Sequence, residues 1–242
     1  MRCERCGAEY TPSKLFSTVF YIGEYQKTIR EMRLCRNCTK LFGGDWFDSE
    51  KELIQTANLV YPFMAGPERF LSRPLGGCDE YRISCDYGTI NPCSFGLWGR
   101  QGERWYRIEE YYYDARLTGK SRTDKEHYHA LCQLAGALEI SAVIIDPSAA
   151  SFIETVKRGK RFPVVVADYG LKDGIDYVTR ALLSGRVIIC DTCKNAQREF
   201  KRYHYDGAGR IVKQDDHVMD DIRFFTSYLL KHLLDRYLDP YA

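Results

Sequence analysis

The pattern of apolar and polar positions changes near residue 78. Tyr81-Arg82-Ile83-Ser84-Cys85-Asp86 alternates with a period of two, as a half-buried strand does, and stops at Tyr87-Gly88. Residues 94–99 and 104–113 add two strands joined by the turn Gln101-Gly102-Glu103, which predicts an antiparallel meander. Strand and helix then alternate. A helix is expected over 124–138, a buried strand over 142–146, a helix over 148–158 and a buried strand over 163–167. Further elements are expected over 173–184, at 186–190 and over 195–203, and a last helix from about 215 to 236. A meander followed by strand-helix alternation predicts an α/β fold, a mixed sheet with helices on both faces.

The first 77 residues read differently. Cys3 and Cys6 form one CxxC pair and Cys35 and Cys38 a second, so four thiolates can close a tetrahedral Zn²⁺ site. The apolar residues between them, among them Phe16, Val19, Phe20 and Ile22, suit a small hairpin, and a module this short usually needs such a staple. A four-cysteine site leaves no open coordination position, which makes it scaffold or recognition surface. Gly43-Gly44, a helix-like stretch over 49–60, Pro62, Pro67, Pro74 and Gly76-Gly77 follow. The expected organisation is therefore a zinc-ribbon-like module over 1–41, a linker with a helix over 42–77 and the α/β domain over 78–242.

Composition narrows the class. With 45% hydrophobic and 28% charged residues the chain is ordinary for a globular protein, and no apolar run reaches the ~18–20 residues of a membrane span. Met1-Arg2-Cys3-Glu4-Arg5-Cys6 is not the apolar core of a signal peptide, so a reducing cytoplasm is expected. The net charge of +2 hides segregation. Arg116, Lys120 and Arg122 form one basic cluster, Lys157, Arg158, Lys160 and Arg161 a second, Lys194, Arg198, Lys201 and Arg202 a third. Acid gathers in Asp215, Asp216, Asp220 and Asp221. Separate patches of both signs suit a phosphate backbone held against a carboxylate-bound cation.

The candidate chemistry lies in three aspartates. Asp86 ends the first strand of the meander and Asp146 ends a later central strand, so both can project into one crevice. Asp220 sits in the last helix, three residues from His217 and on the same face, beside a packing stripe of Val218, Ile222, Phe225 and Leu229. Three converging carboxylates are a hard-oxygen set suited to two Mg²⁺ or Mn²⁺ ions, which together can stabilise the attacking and leaving oxygens of phosphodiester cleavage.

These blocks resemble the C-terminal nuclease domain of the large terminase subunit of tailed bacteriophages. The resemblance runs through Cys85-Asp86-Tyr87-Gly88-Thr89, Asn91-Pro92 and Ser94-Phe95-Gly96-Leu97-Trp98-Gly99. It continues in Tyr111-Tyr112-Tyr113-Asp114, Ile145-Asp146-Pro147-Ser148-Ala149 and Asp216-His217-Val218-Met219-Asp220-Asp221-Ile222-Arg223. It implies an RNase H-like fold and a metal endonuclease that cuts concatemeric double-stranded DNA during genome packaging in the host cytoplasm, encoded by phage or prophage. It also implies Asp86, Asp146 and Asp220 as metal ligands and His217 as the histidine that accompanies the last of them, to orient Asp220, bind metal or carry a proton. Other terminase subunits, a separate ATPase motor or a portal are the implied partners.

Two departures from the family stand out: the cysteine module, and the lack of an ATPase domain within the 242 residues. Leu117-Thr118-Gly119-Lys120-Ser121 mimics the end of a P-loop, yet Asp114 occupies the required glycine position. The competing reading is a noncatalytic DNA- or terminase-binding protein with a vestigial nuclease fold. A resolvase or transposase on the same fold is a third.

Overall fold

The computed structural model describes residues 58–167 and 171–233, the strands Leu15–Ile22 (β1) and Lys27–Cys35 (β2), and Arg2, Glu9 and Thr11. Cys3, Cys6 and Cys38 lie outside the described residues, and Cys35 is the last residue of β2, so the zinc expectation falls outside them as well. The same holds for residues 49–57 of the expected linker helix.

The chain divides into two compact units, residues 1–69 with 198–215 and residues 70–197 with 216–242. In the first unit β1 and β2 pair antiparallel from Leu15↔Cys35 to Ile22↔Lys27, the hairpin expected between the cysteine pairs. Residues 198–215 join this unit through backbone pairing that the sequence pattern does not announce. Leu59 bridges to His204, and the Val60 N–H donates to the Tyr203 carbonyl at 2.9 Å. Tyr61 is buried there, stacked on Tyr203 and edge-on to Phe200.

The second unit is built on a six-stranded sheet ordered β7-β6-β3-β4-β5-β8. Its strands are Glu80–Asp86 (β3), Cys93–Gln101 (β4), Arg104–Tyr113 (β5), Ile140–Ile145 (β6), Val164–Val166 (β7) and Val187–Ile189 (β8). The pairs β3–β4 and β4–β5 are antiparallel, while β6 joins β3, β7 joins β6 and β8 joins β5 in parallel. This is the mixed sheet the pattern predicts. The unit begins at Phe70, ahead of residue 78 where the α/β domain is expected to start, and the Leu71 N–H donates to Ile189 (3.1 Å) while its carbonyl accepts from Asp191 (2.8 Å).

The helices are Ala115–Thr118 (α1), Asp124–Ala135 (α2), Ala150–Gly159 (α3), Leu171–Leu183 (α4), Lys194–Phe200 (α5) and His217–Leu233 (α6). Helix α2 starts where a capping box allows it, with Thr123 and Glu126 satisfying each other's backbone N–H groups. Alternation along the strands sorts residues between two faces. Ile83, Cys85, Phe95 and Leu97 turn to one face, where they pack with Leu131 and Ala135 of α2 and Phe152, Ile153 and Val156 of α3. Ser84, Ser94 and Trp98 turn to the other, against α6. There Phe225 lies parallel to Trp98 with ring centroids 3.9 Å apart, and Val218, Ile222 and Leu229 are buried as the stripe required. Each such side chain contributes roughly 1.5–3 kcal/mol by leaving water. Among the described residues no helix is long and apolar enough to cross a membrane.

Candidate active site

The candidate residues collect at one end of the sheet, on the α6 side. Asp86 is the last residue of β3 and is 7% exposed. Asp146 follows the last residue of the neighbouring parallel strand β6, and its N–H donates to the Cys85 carbonyl at 3.2 Å, so it stands one strand across from Asp86. Its Oδ1 accepts from the Ser148 N–H at 2.8 Å, which turns the carboxylate within a tight Asx turn ahead of α3.

The third segment of chain at this corner is the first turn of α6. His217 Nδ1 is 2.8 Å from Asp86 Oδ2. The helix spacing pairs the imidazole with Asp220, and the structure brings it to the strand carboxylate. Asp220, one turn on, accepts from Arg223 Nη2 (3.0 Å) and Nε (3.2 Å). A Cβ on Gly174 of α4 would lie 2.4 Å from Arg223 Cγ, so this glycine makes room for the arginine that holds Asp220.

Burial pushes the Asp86 carboxyl up to about 7. The hydrogen bond and charge of His217 oppose the rise, and the negative charges of Asp220 and Asp146 add to it. The structure thus brings Asp86, Asp146, Asp220 and His217 into one electrostatic neighbourhood. It does not draw them into a closed cage: among the described residues no three His, Cys, Asp or Glu side chains converge closely enough to hold a metal ion. The donor set nonetheless fits a hard divalent cation, since a desolvated carboxylate beside two others is relieved by positive charge.

The sequence alone gives Asp221 no role beyond the acidic run. It is fully buried, and both of its oxygens are saturated. Oδ1 accepts from Ser84 Oγ at 2.8 Å and from Arg107 Nη1, and Oδ2 accepts from Arg107 Nη2 at 2.8 Å and from Ser94 Oγ. Trp98 Nε1 donates to Ser84 Oγ at 2.8 Å. Arg107 is itself fully buried and lies 3.7 Å from Glu110, whose carboxylate accepts from the Asn195 and Ala196 N–H groups at the start of α5. The signal that could have found this group is Gly96 between the bulky Phe95 and Leu97, because a Cβ there would sit 1.9 Å from Arg107 Nη1.

On the other face at the same end of the sheet, Tyr87, Tyr111 and Tyr113 stand edge-on around the buried His127. Burial first, and the charge of Arg122 second, hold that imidazole down to about 4, so it is neutral at physiological pH. Arg122 donates to the Tyr111 hydroxyl at 2.8 Å and lies 4.1 Å over the Tyr113 ring. Leu117 to Ser121 are exposed, and α1 ends at Thr118 with Gly119 in the left-handed region capping it. Cys190 and Cys193 are buried and form no disulfide.

A mixed sheet of this order with helices packed on its faces is an RNase H-like α/β fold, and Asp86, Asp146 and Asp220 reach one end of it from two strands and a helix. No protein-family model matches the chain. The large terminase of a thermophilic bacteriophage, solved in complex with ADP, is 37% identical with a TM-score of 0.67, over 72% of this chain and 45% of that one. The large terminase nuclease domain of P22 matches with a TM-score of 0.55 at 19% identity, covering 73% of this chain and 95% of that domain. The nuclease of thermophilic phage G20c with bound cobalt matches at 0.51 and 13% identity, over 70% and 97% of the respective chains. In sequence, 54 residues are 37% identical to the terminase large subunit of Salmonella phage P22, 22% of this chain and 11% of that protein. The chain thus spans less than half the length of the ADP-bound terminase and matches a small part of the P22 subunit. Over the matched residues the chain is similar to the nuclease domain of phage large terminases and shares its fold.

Proposed function

We propose that residues 78–242 form a Mg²⁺- or Mn²⁺-dependent endodeoxyribonuclease that cuts concatemeric DNA during phage genome packaging. The observation that supports this reading most is the buried Asp86, with its carboxyl held at about 7 by burial and by Asp220 and Asp146. Asp86, Asp146 and Asp220 would hold two divalent ions, and ions of this kind supply charge stabilisation to the attacking and leaving oxygens of a phosphodiester. The cobalt bound in the G20c nuclease accords with such a site. His217, through Nδ1, fixes the rotamer of Asp86. Arg223 fixes the Asp220 carboxylate in place through Nε and Nη2.

The substrate would be double-stranded DNA, its backbone met by Arg122 and Lys120 and by the cluster of Lys157, Arg158, Lys160 and Arg161. Packaging would need an ATPase motor, a portal and other terminase subunits, all in the host cytoplasm. The cysteines Cys3, Cys6, Cys35 and Cys38 would hold a structural Zn²⁺ in the first unit. DNA affinity measured across salt concentrations tests the substrate assignment. Binding is expected to fall steeply with salt, and neutralising Lys157, Arg158, Lys160 and Arg161 should flatten that slope by several contacts. Affinity that is indifferent to salt would remove the backbone contacts from the account.

A further inference from the structure

We propose that Asp221, clamped by Arg107, Ser84 and Ser94, is the positioning residue that sets the phase of α6 and so places His217 and Asp220 against Asp86. The inference rests on the nuclease reading of that corner. Asp221 follows Asp220 directly and stands one turn beyond His217, so whatever fixes Asp221 fixes both. Its anchors lie on the strands that frame Asp86. Ser84 is two residues before Asp86 on the same face of β3, and Ser94 is the residue paired with Asp86 across β4.

The clamp has the geometry of a register device. A carboxylate has about four acceptor positions, and here two serine hydroxyls and the two ends of one guanidinium occupy them. A rotation of α6 by one residue, about 100°, would strip all four contacts from a fully desolvated charge. Packing alone does not impose this. The contacts of Trp98, Phe225, Ile222 and Val218 are apolar and non-directional, and a buried ion pair is often no more stabilising than an apolar pair of the same volume. What the pair adds is direction. Gly96 keeps the space that lets Arg107 reach Asp221 beneath β4.

Two variants of the full chain separate positioning from stability. Asp221→Leu combined with Arg107→Met replaces the clamp by apolar volume, and Ser94→Ala removes one anchor while leaving the ion pair. Each is measured for melting temperature, for the Mn²⁺-induced rise in melting temperature, and for kcat and KM on plasmid DNA. Positioning predicts that Ser94→Ala folds, keeps KM within about twofold and loses kcat by about 10-fold, while the double variant loses about 100-fold, the cost of a displacement of about 1 Å. The Mn²⁺-induced rise should shrink in both. A variant that folds and retains wild-type kcat and the full Mn²⁺ response overturns the proposal. If the double variant does not fold, Ser94→Ala decides alone. If the wild type cleaves nothing, the nuclease reading fails while the Mn²⁺ response still reads the placement of α6: an undiminished response in Ser94→Ala overturns the clamp, and a diminished one upholds it.

Discussion

In metal-free buffer, protein carrying Asp86→Asn is expected to melt higher than the wild type. Asp86 ionises near pH 4 in the unfolded chain and at about 7 in the fold. Its folded value is raised, so its contribution to stability is fully present below about pH 4 and is lost as pH rises to about 7. A separation of roughly three pH units corresponds to about 4 kcal/mol, a net figure that already contains the opposing His217 contact. The variant should therefore gain up to about 4 kcal/mol over the wild type at pH 8 and much less at pH 5. Adding Mn²⁺ should reverse the order, because the variant lacks one of the three carboxylates and binds the ion more weakly. Thermal melts at the two pH values, with and without Mn²⁺, check this. A wild type whose stability is flat between pH 5 and 8, and equal to that of Asp86→Asn, would mean that Asp86 is not held under strain.

The second large effect is expected at a residue that touches none of the carboxylates in the candidate metal site. Gly96→Ala places a methyl where Arg107 Nη1 now lies, and the arginine cannot step aside because Asp221 grips both of its ends in a fully buried site. Displacing one partner of such a pair leaves a charge without compensation, which costs on the order of 3 kcal/mol or more and roughly 10 °C of melting temperature. Gly99→Ala in the same strand is the useful comparison, because the atom its Cβ would meet belongs to the half-buried Cys78 side chain, which can move. Equal melting temperatures for Gly96→Ala and wild type would show that the pair tolerates rearrangement.

Much of this can be read from the chain alone because its signals are local. The period-two run ending at Asp86 points to a strand with a carboxylate at its tip, and the apolar run ending at Ile145 points to the neighbouring one. The three-residue spacing of His217 and Asp220 puts them on one helix face, and Val218, Ile222, Phe225 and Leu229 are the buried stripe beside it. The illegible parts depend on contacts distant in sequence. Nothing in Asp220-Asp221 says which acid lies near Asp86 and which is sequestered, since that depends on Arg107, 114 residues away. A fully buried arginine in the middle of a strand runs against the usual burial preferences. The grouping of residues 198–215 with Leu59 and Val60 likewise rests on backbone pairing that no periodicity announces. The contact of His217 with Asp86 is hidden for the same reason, because a helix face gives a direction but not the strand it meets.

The central claim is that the carboxylates at this sheet end form a metal-dependent nuclease centre. Cleavage of supercoiled plasmid tests it most directly, with Mn²⁺, Mg²⁺ or chelator, by the wild type and by Asp86→Asn, Asp146→Asn and Asp220→Asn. The expected result is cleavage by the wild type with either ion and none with chelator, with each aspartate variant reduced by about 10³-fold while remaining folded. Metal-dependent cleavage that persists undiminished in all three variants would contradict the account.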